Sequence, residues 1–201
     1  MSMRCNAQMA KLLFILFQAA LINNFVLVRF LGVTSMLSHT FQLEAAVGMG
    51  FAVTLVMVLA SLITGLINSL ILMPLGASFL QLTFFMITIV VLVQVLALYL
   101  GQKSPKMHQQ MGVYMPLLLT NCAILGVTVL NVQNQLTLVE SLFFSLGGGL
   151  GFLLVLVVMT SLRERLEGAD VPRSFRGAPI MLVAAAILSL SLTVFSSFSV
   201  H

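Results

Sequence analysis

The sequence predicts an all-α integral membrane protein whose six transmembrane helices form two inverted three-helix repeats. Three observations carry that expectation: an apolar composition, six long hydrophobic stretches, and an echo between the two halves of the chain. Of 201 residues, 60% are hydrophobic and only 7% charged, whereas a soluble domain carries about a quarter charged residues. Mean hydropathy is +1.15. There is too little polar material to cover a water-soluble enzyme, and too much apolar material for a disordered chain. The net charge of +4 comes from nine Lys/Arg set against five Asp/Glu. Cations scattered among apolar runs cannot form the basic stripe that nucleic acid requires. Membrane lipid is therefore the expected surroundings, and nucleic acid is excluded as a partner.

A helical span takes about 20 mostly apolar residues to cross about 30 Å of hydrocarbon. A single membrane domain covers residues 1–201, with 1–9 as an N-terminal tail and spans at roughly 10–31, 43–68, 79–100, 111–131, 138–162 and 178–199. The first span opens on the run Leu12–Ile22. It continues well past the length of a signal-peptide apolar region, with no A-x-A site behind it, and so reads as a retained span. Polar or turn-forming residues separate successive spans, in order. They are Ser35–Gln42, Asn68 with Pro74-Leu-Gly76, Gly101-Gln-Lys-Ser-Pro105-Lys106, Asn131-Val-Gln-Asn134-Gln, and Arg163–Pro179. No stretch alternates with the period of two that marks a membrane strand.

Lys and Arg set the orientation. Lys103 and Lys106 lie in the third loop, and Arg163, Arg165, Arg173 and Arg176 in the fifth, while the second and fourth loops hold none. Positive loops stay in the cytoplasm, so both termini face outward. Arg4 and Lys11 point the other way and are outnumbered.

The halves then correspond. Asn24 matches Asn121, Glu44 matches Glu140 and Pro74 matches Pro172 at a nearly constant offset of a little under half the chain. Leu31-Gly-Val-Thr34 follows Asn23-Asn24, and Leu125-Gly-Val-Thr128 follows Thr120-Asn121. A three-helix unit repeated once must invert across the membrane, because three is odd. In such folds a midplane site forms at interrupted helices in equivalent positions of the two halves.

Polar groups inside lipid are expensive and mark sites of use. Asn23, Asn24, Thr120, Asn121 and Cys122 fall within the first and fourth spans, where packing glue is the simpler reading of any one Asn or Thr. Arg29 lies near a span end and can reach the interface. Gly147-Gly-Gly149-Leu-Gly151, with Gly48 and Gly50 in the corresponding place, suits close helix approach. A phosphate loop is excluded there, since no Lys-Ser/Thr follows. Arg163-Glu-Arg-Leu-Glu167 spaces opposite charges along a helix reaching into the cytoplasm. The three His residues show no ligand spacing, and no hydrolytic triad, HExxH or nucleophile elbow occurs. Cys5 and Cys122 sit at different depths, which disfavours a disulfide. From the residues alone, Cys122 reads either as a small buried hydrophobe or as a ligand.

Three segments resemble the NqrD/RnfAE family, the membrane subunits of the Rnf electron-transport complex and of the sodium-pumping quinone reductase. They are Leu21-Ile-Asn-Asn-Phe-Val-Leu-Val-Arg-Phe-Leu-Gly32, Met115-Pro-Leu-Leu-Leu-Thr-Asn-Cys-Ala-Ile-Leu-Gly126, and Arg163-Glu-Arg-Leu-Glu-Gly-Ala-Asp-Val-Pro172 with Phe175-Arg-Gly-Ala178. The likeness runs from about Met9 to the C-terminus and is strongest to the A-type members. It implies a bacterial inner-membrane component, with both termini periplasmic, of a complex coupling ferredoxin:NAD electron transfer to ion movement. It implies RnfE as the oppositely oriented partner, with RnfB, RnfC, RnfD and RnfG completing the assembly. It further implies an iron–sulfur cluster of the two-iron, two-sulfur type, held at mid-membrane by one Cys from each half of RnfA-type and RnfE-type chains. On that pattern Cys122 is a ligand, Asn24 and Asn121 frame the site, and Thr34 stands where the family has its other Cys. No complete active site exists in this chain, which is read as non-catalytic alone. A stand-alone secondary transporter and a purely structural component of the complex are the alternatives.

Overall fold

The computed structural model describes residues 2–22, 28–29, 31–32, 43–76, 78–103, 118–119, 121–168, 172 and 177–198. Every regular element among them is helical. Helix α1 (Ser2–Phe17) runs on through a wider π turn, Gln18–Ile22. Helix α2 (Leu43–Ile67) continues the same way through Asn68–Leu72 and a last turn, Met73–Leu75. Gly76 closes that turn at φ 62°, a left-handed cap that glycine adopts freely. A short 3-10 turn, Ser78–Leu80, leads into α3 (Gln81–Lys103). Then follow α4 (Cys122–Gln133), α5 (Leu138–Glu167) and α6 (Ala178–Phe198).

Three helical runs are long and apolar enough to cross a membrane: Ala46–Leu72, Gln81–Leu98 and Leu138–Leu166. Met9–Ala20, Cys122–Gln133 and Ala178–Ser191 are shorter apolar helices. The chain is thus an all-helical membrane protein, and its helices fall on the apolar stretches of the sequence. Residues 2–9, expected as a tail, form the first turns of α1. Helix α5 continues beyond residue 162 to Glu167, through the alternating charges of Arg163–Glu167.

Helices α2 and α5 make the most extensive interface, and α1 and α4 pack against this pair. The core is apolar: Met49, Val53, Val56, Met57 and Ala60 of α2 meet Phe152, Val155, Leu156 and Met159 of α5 and Ala123, Ile124 and Val127 of α4. Large apolar side chains on the outer faces, such as Phe84, Ile87, Val91 and Val95 of α3, are exposed. Lipid tails are as apolar as these side chains, so their exposure in a membrane costs nothing.

Glycine makes the tight approach possible. A Cβ on Gly147 would come within 2.5 Å of the Leu16 carbonyl oxygen and 2.9 Å of Ala19 Cβ, and one on Gly149 within 2.5 Å of Thr54 Cγ2. The first-half counterparts divide. Gly50 lies against Leu153, with 3.0 Å to its Cγ, whereas Gly48 faces open space. The expected close approach at Gly48 is therefore corrected: its helix face is exposed, and no neighbour among the described residues is seated there.

The start of α5 is fixed by a reciprocal cap. Thr137 Oγ1 accepts the Glu140 N–H at 3.4 Å, and Glu140 Oε2 accepts the Thr137 N–H at 3.0 Å. Lys11 of α1 pairs with the other carboxylate oxygen at 2.6 Å. Thr137→Ala should destabilise the protein by about 1 kcal/mol, measured as a lower thermal midpoint of the purified complex.

Candidate functional site

The fourth apolar stretch is interrupted. Asn121 has φ −74° and ψ 104°, extended rather than helical, and its Oδ1 accepts the Ala123 N–H at 3.0 Å. That is an N-cap. The Asn that reads in sequence as a polar residue within a span is instead the start of a half-helix, with Cys122 as its first residue. Sequence alone places Cys122 deep in a continuous helix; the cap puts it at a helix end. The positive end of a helix dipole there favours negative charge nearby.

The first half of the chain reaches this end through Leu31-Gly32. Gly32 sits at φ +85°, and a Cβ on it would meet the Phe152 ring at 2.8 Å, Asn121 Oδ1 at 3.3 Å and Ala123 Cβ at 3.4 Å. Its backbone N–H donates to Cys122 Sγ at 3.0 Å. Leu31 in turn fills the space over Gly126, where a Cβ would lie 2.6 Å from its Cδ1. The Leu-Gly pairs of the two echoing motifs therefore touch, one holding the thiol and the other receiving a side chain. Cys122 is a free thiol and is exposed on the chain. Asn121 is 4% exposed, and its Nδ2 has no partner among the described residues. Asn23, Asn24, Thr34 and Thr120 lie outside the described residues.

The donor set limits what this site can hold. Among the described residues no group of three His, Cys, Asp or Glu converges on one point. One exposed sulfur, steadied by a backbone N–H, fits a single ligand of a centre completed by other chains, since hydrogen bonds to sulfur are one means by which proteins tune such centres. It does not fit a centre held by the described residues of this chain alone.

A second polar cluster is one that the sequence does not announce. Asn131, which the sequence places in a loop, lies in the last turn of α4 and is 5% exposed. Its Nδ2 donates to Ser61 Oγ and, at 3.3 Å, to Ser145 Oγ, and both hydroxyls donate to the Ser141 carbonyl at 3.4 and 2.7 Å. The one available signal is Ser141 and Ser145 four residues apart in the stretch 141–159 of α5, which is otherwise apolar; that spacing places both on one face. The cluster borders a cleft of about 570 Å³ between the ends of α2 and α4 and the start of α5.

A family model described as "Rnf-Nqr subunit, membrane protein" matches residues 12–199. The A-type subunit of the Na(+)-translocating ferredoxin:NAD(+) oxidoreductase complex of Acetobacterium woodii is 44% identical over 185 residues, covering 92% of this chain and 96% of that protein. The A-type subunit of the ion-translocating oxidoreductase complex of Syntrophotalea carbinolica is 46% identical over 183 residues, covering 91% and 95%. The protein of the same name from Actinobacillus pleuropneumoniae is 45% identical with the same coverage.

Proposed function

Since the chain belongs to the Rnf-Nqr family of membrane subunits, we propose that it is the A-type subunit of an ion-translocating ferredoxin:NAD oxidoreductase complex. In that role it spans the bacterial inner membrane six times as two inverted halves, with both termini in the periplasm. RnfE packs against it as the oppositely oriented counterpart, and RnfB, RnfC, RnfD and RnfG complete the assembly. Cys122 supplies one thiolate to a two-iron, two-sulfur cluster shared with RnfE, and Thr34 occupies the position of the family's other Cys. A cluster bound there supplies a one-electron stopping point partway across hydrocarbon about 30 Å thick.

The observation that supports this reading is the Gly32 N–H aimed at Cys122 Sγ where the two motif copies meet. This chain's own residues do the positioning. Asn121 begins the half-helix so that the sulfur sits at its positive end, Gly32 donates a hydrogen bond to that sulfur, and Leu31 over Gly126 keeps the two halves in register. Exposure of Cys122 leaves the sulfur open to a neighbouring polypeptide.

Iron analysis and electron paramagnetic resonance of the purified complex test the assignment. Wild-type complex is expected to show a cluster signal that disappears, with the corresponding iron, in Cys122→Ala, while the components still co-purify. Unchanged iron and an unchanged signal in that variant would leave the chain with a structural role only.

A further inference from the structure

We propose that the outer face of α3 seats a transmembrane helix of another subunit, and that Gln94 at the centre of this face hydrogen-bonds a side-chain amide or hydroxyl of that helix. Helix α3 is the least embedded of the three long spans: 22% of Gln81–Leu98 is buried, against half of an equal length in α2 or α5. Its buried residues are Phe85, Ile89, Val93 and Ala97, a single stripe at four-residue spacing. Ile87, Val91 and Leu98 lie on the opposite face and are exposed. Gln94 falls among them, seven residues after Ile87 and four before Leu98, and is exposed as well. Its amide has no partner among the described residues.

Bare lipid is a costly neighbour for that amide. Thirteen residues of helix separate Gln94 from Gln81 and nine separate it from Lys103, about 20 and 14 Å along the axis. The side chain therefore lies within hydrocarbon about 30 Å thick, and Gln is shorter than the Lys and Arg chains that snorkel to the interface. Outward hydroxyls solve the same problem inside their own helices. Thr88 donates to the Phe84 carbonyl at 2.7 Å and Ser191 to the Ile187 carbonyl at 3.0 Å. Gln94 has two hydrogens and an oxygen to satisfy, and hydrocarbon supplies partners for none of them. Whatever covers this face must bring donors and acceptors to the same depth, and a helix does so while keeping its own backbone paired. Ile87, Val91 and Leu98 around the amide supply the van der Waals surface along which such a helix packs.

The proposal rests on the reading of the chain as one subunit of a complex, and not on the role of the thiol. Photocrosslinking in membranes tests it, with p-benzoylphenylalanine in place of Val91 or of Leu98 and the complex then purified through a tag on this chain. Each position is expected to give an adduct with another subunit. The peptide sequenced at the attachment point should lie in a membrane span with an Asn, Gln, Ser or Thr within one turn. Gln94→Leu in the same backgrounds should lower the adduct yield at least about threefold, as loss of an average interhelical hydrogen bond in a membrane would, and Gln94→Asn, which keeps an amide, should lower it less. Adducts with lipid alone or with a second copy of this chain overturn the proposal, as does an undiminished yield in Gln94→Leu. Companion subunits that co-purify without an adduct at either position overturn this face and leave the complex standing, whereas a chain that purifies without companions overturns both.

Discussion

Membranes carrying Cys122→Ala should reduce NAD with ferredoxin at least about 100-fold more slowly than wild-type membranes, because an electron has no useful single step across about 30 Å of hydrocarbon. The substitution is well suited to isolating that effect. Alanine is the best helix former, the side chain is exposed rather than packed, and Asn121 still caps the helix through Ala123. The complex should therefore assemble in normal amounts. Rates at the wild-type level with the complex present would remove Cys122 from the electron path. Cys122→Ser is the informative companion: it keeps a hydrogen-bond acceptor for Gly32 but replaces the soft sulfur with oxygen, and only a substantially lower rate fits a thiolate ligand.

Gly147→Val is expected to cause the largest loss of folded protein. Its first added carbon would lie 2.5 Å from the Leu16 carbonyl oxygen and 2.9 Å from Ala19 Cβ, and backbone cannot swing aside as a flexible side chain does. Overpacking of this kind costs about 1–3 kcal/mol, and here it forces α1 and its π turn away from α5. The π turn is the last described helical segment before the Asn23-Asn24 motif, so its displacement should also disturb the Gly32 approach to Cys122. Quantifying the protein in membranes by immunoblot, with thermal stability of whatever complex forms, checks the prediction. Gly48→Val is the matched control, since nothing lies within 4 Å of its added carbon; it should leave both measures near wild type.

That contrast shows how far a sequence carries the fold. The apolar stretches were legible because hydrocarbon demands long uninterrupted runs and the turns between them concentrate Asn, Gly, Pro and charge. The distinction between Gly48 and Gly147 was not, because small residues mark only a permitted approach, and which face meets a neighbour depends on helix rotation. The thiol was legible as a candidate through its motif, yet its place at a helix end was not. A capping Asn and a buried interhelical Asn look alike in an apolar run, and the cap is recognised only by its bond to the Ala123 N–H. The Asn131 cluster was less legible still, since Ser61, Asn131, Ser141 and Ser145 converge from three helices and no spacing within one segment announces it. Asn24 and Thr34 belong to the motif reading and lie outside the described residues.

The brevity of α4 has a consequence for the life of the protein in the cell. Twelve residues make a rod of about 18 Å, too short to cross the bilayer, and non-helical backbone at membrane depth is tolerated only where protein buries it, as this chain itself does at Asn121, which is 4% exposed. The edge bearing Cys122 is exposed in the isolated chain, so an orphan copy would present that edge to acyl chains until a second polypeptide covers it. Synthesised without its companions, the protein should be a substrate for membrane quality-control proteases, and its abundance should follow that of the polypeptide that shelters this edge.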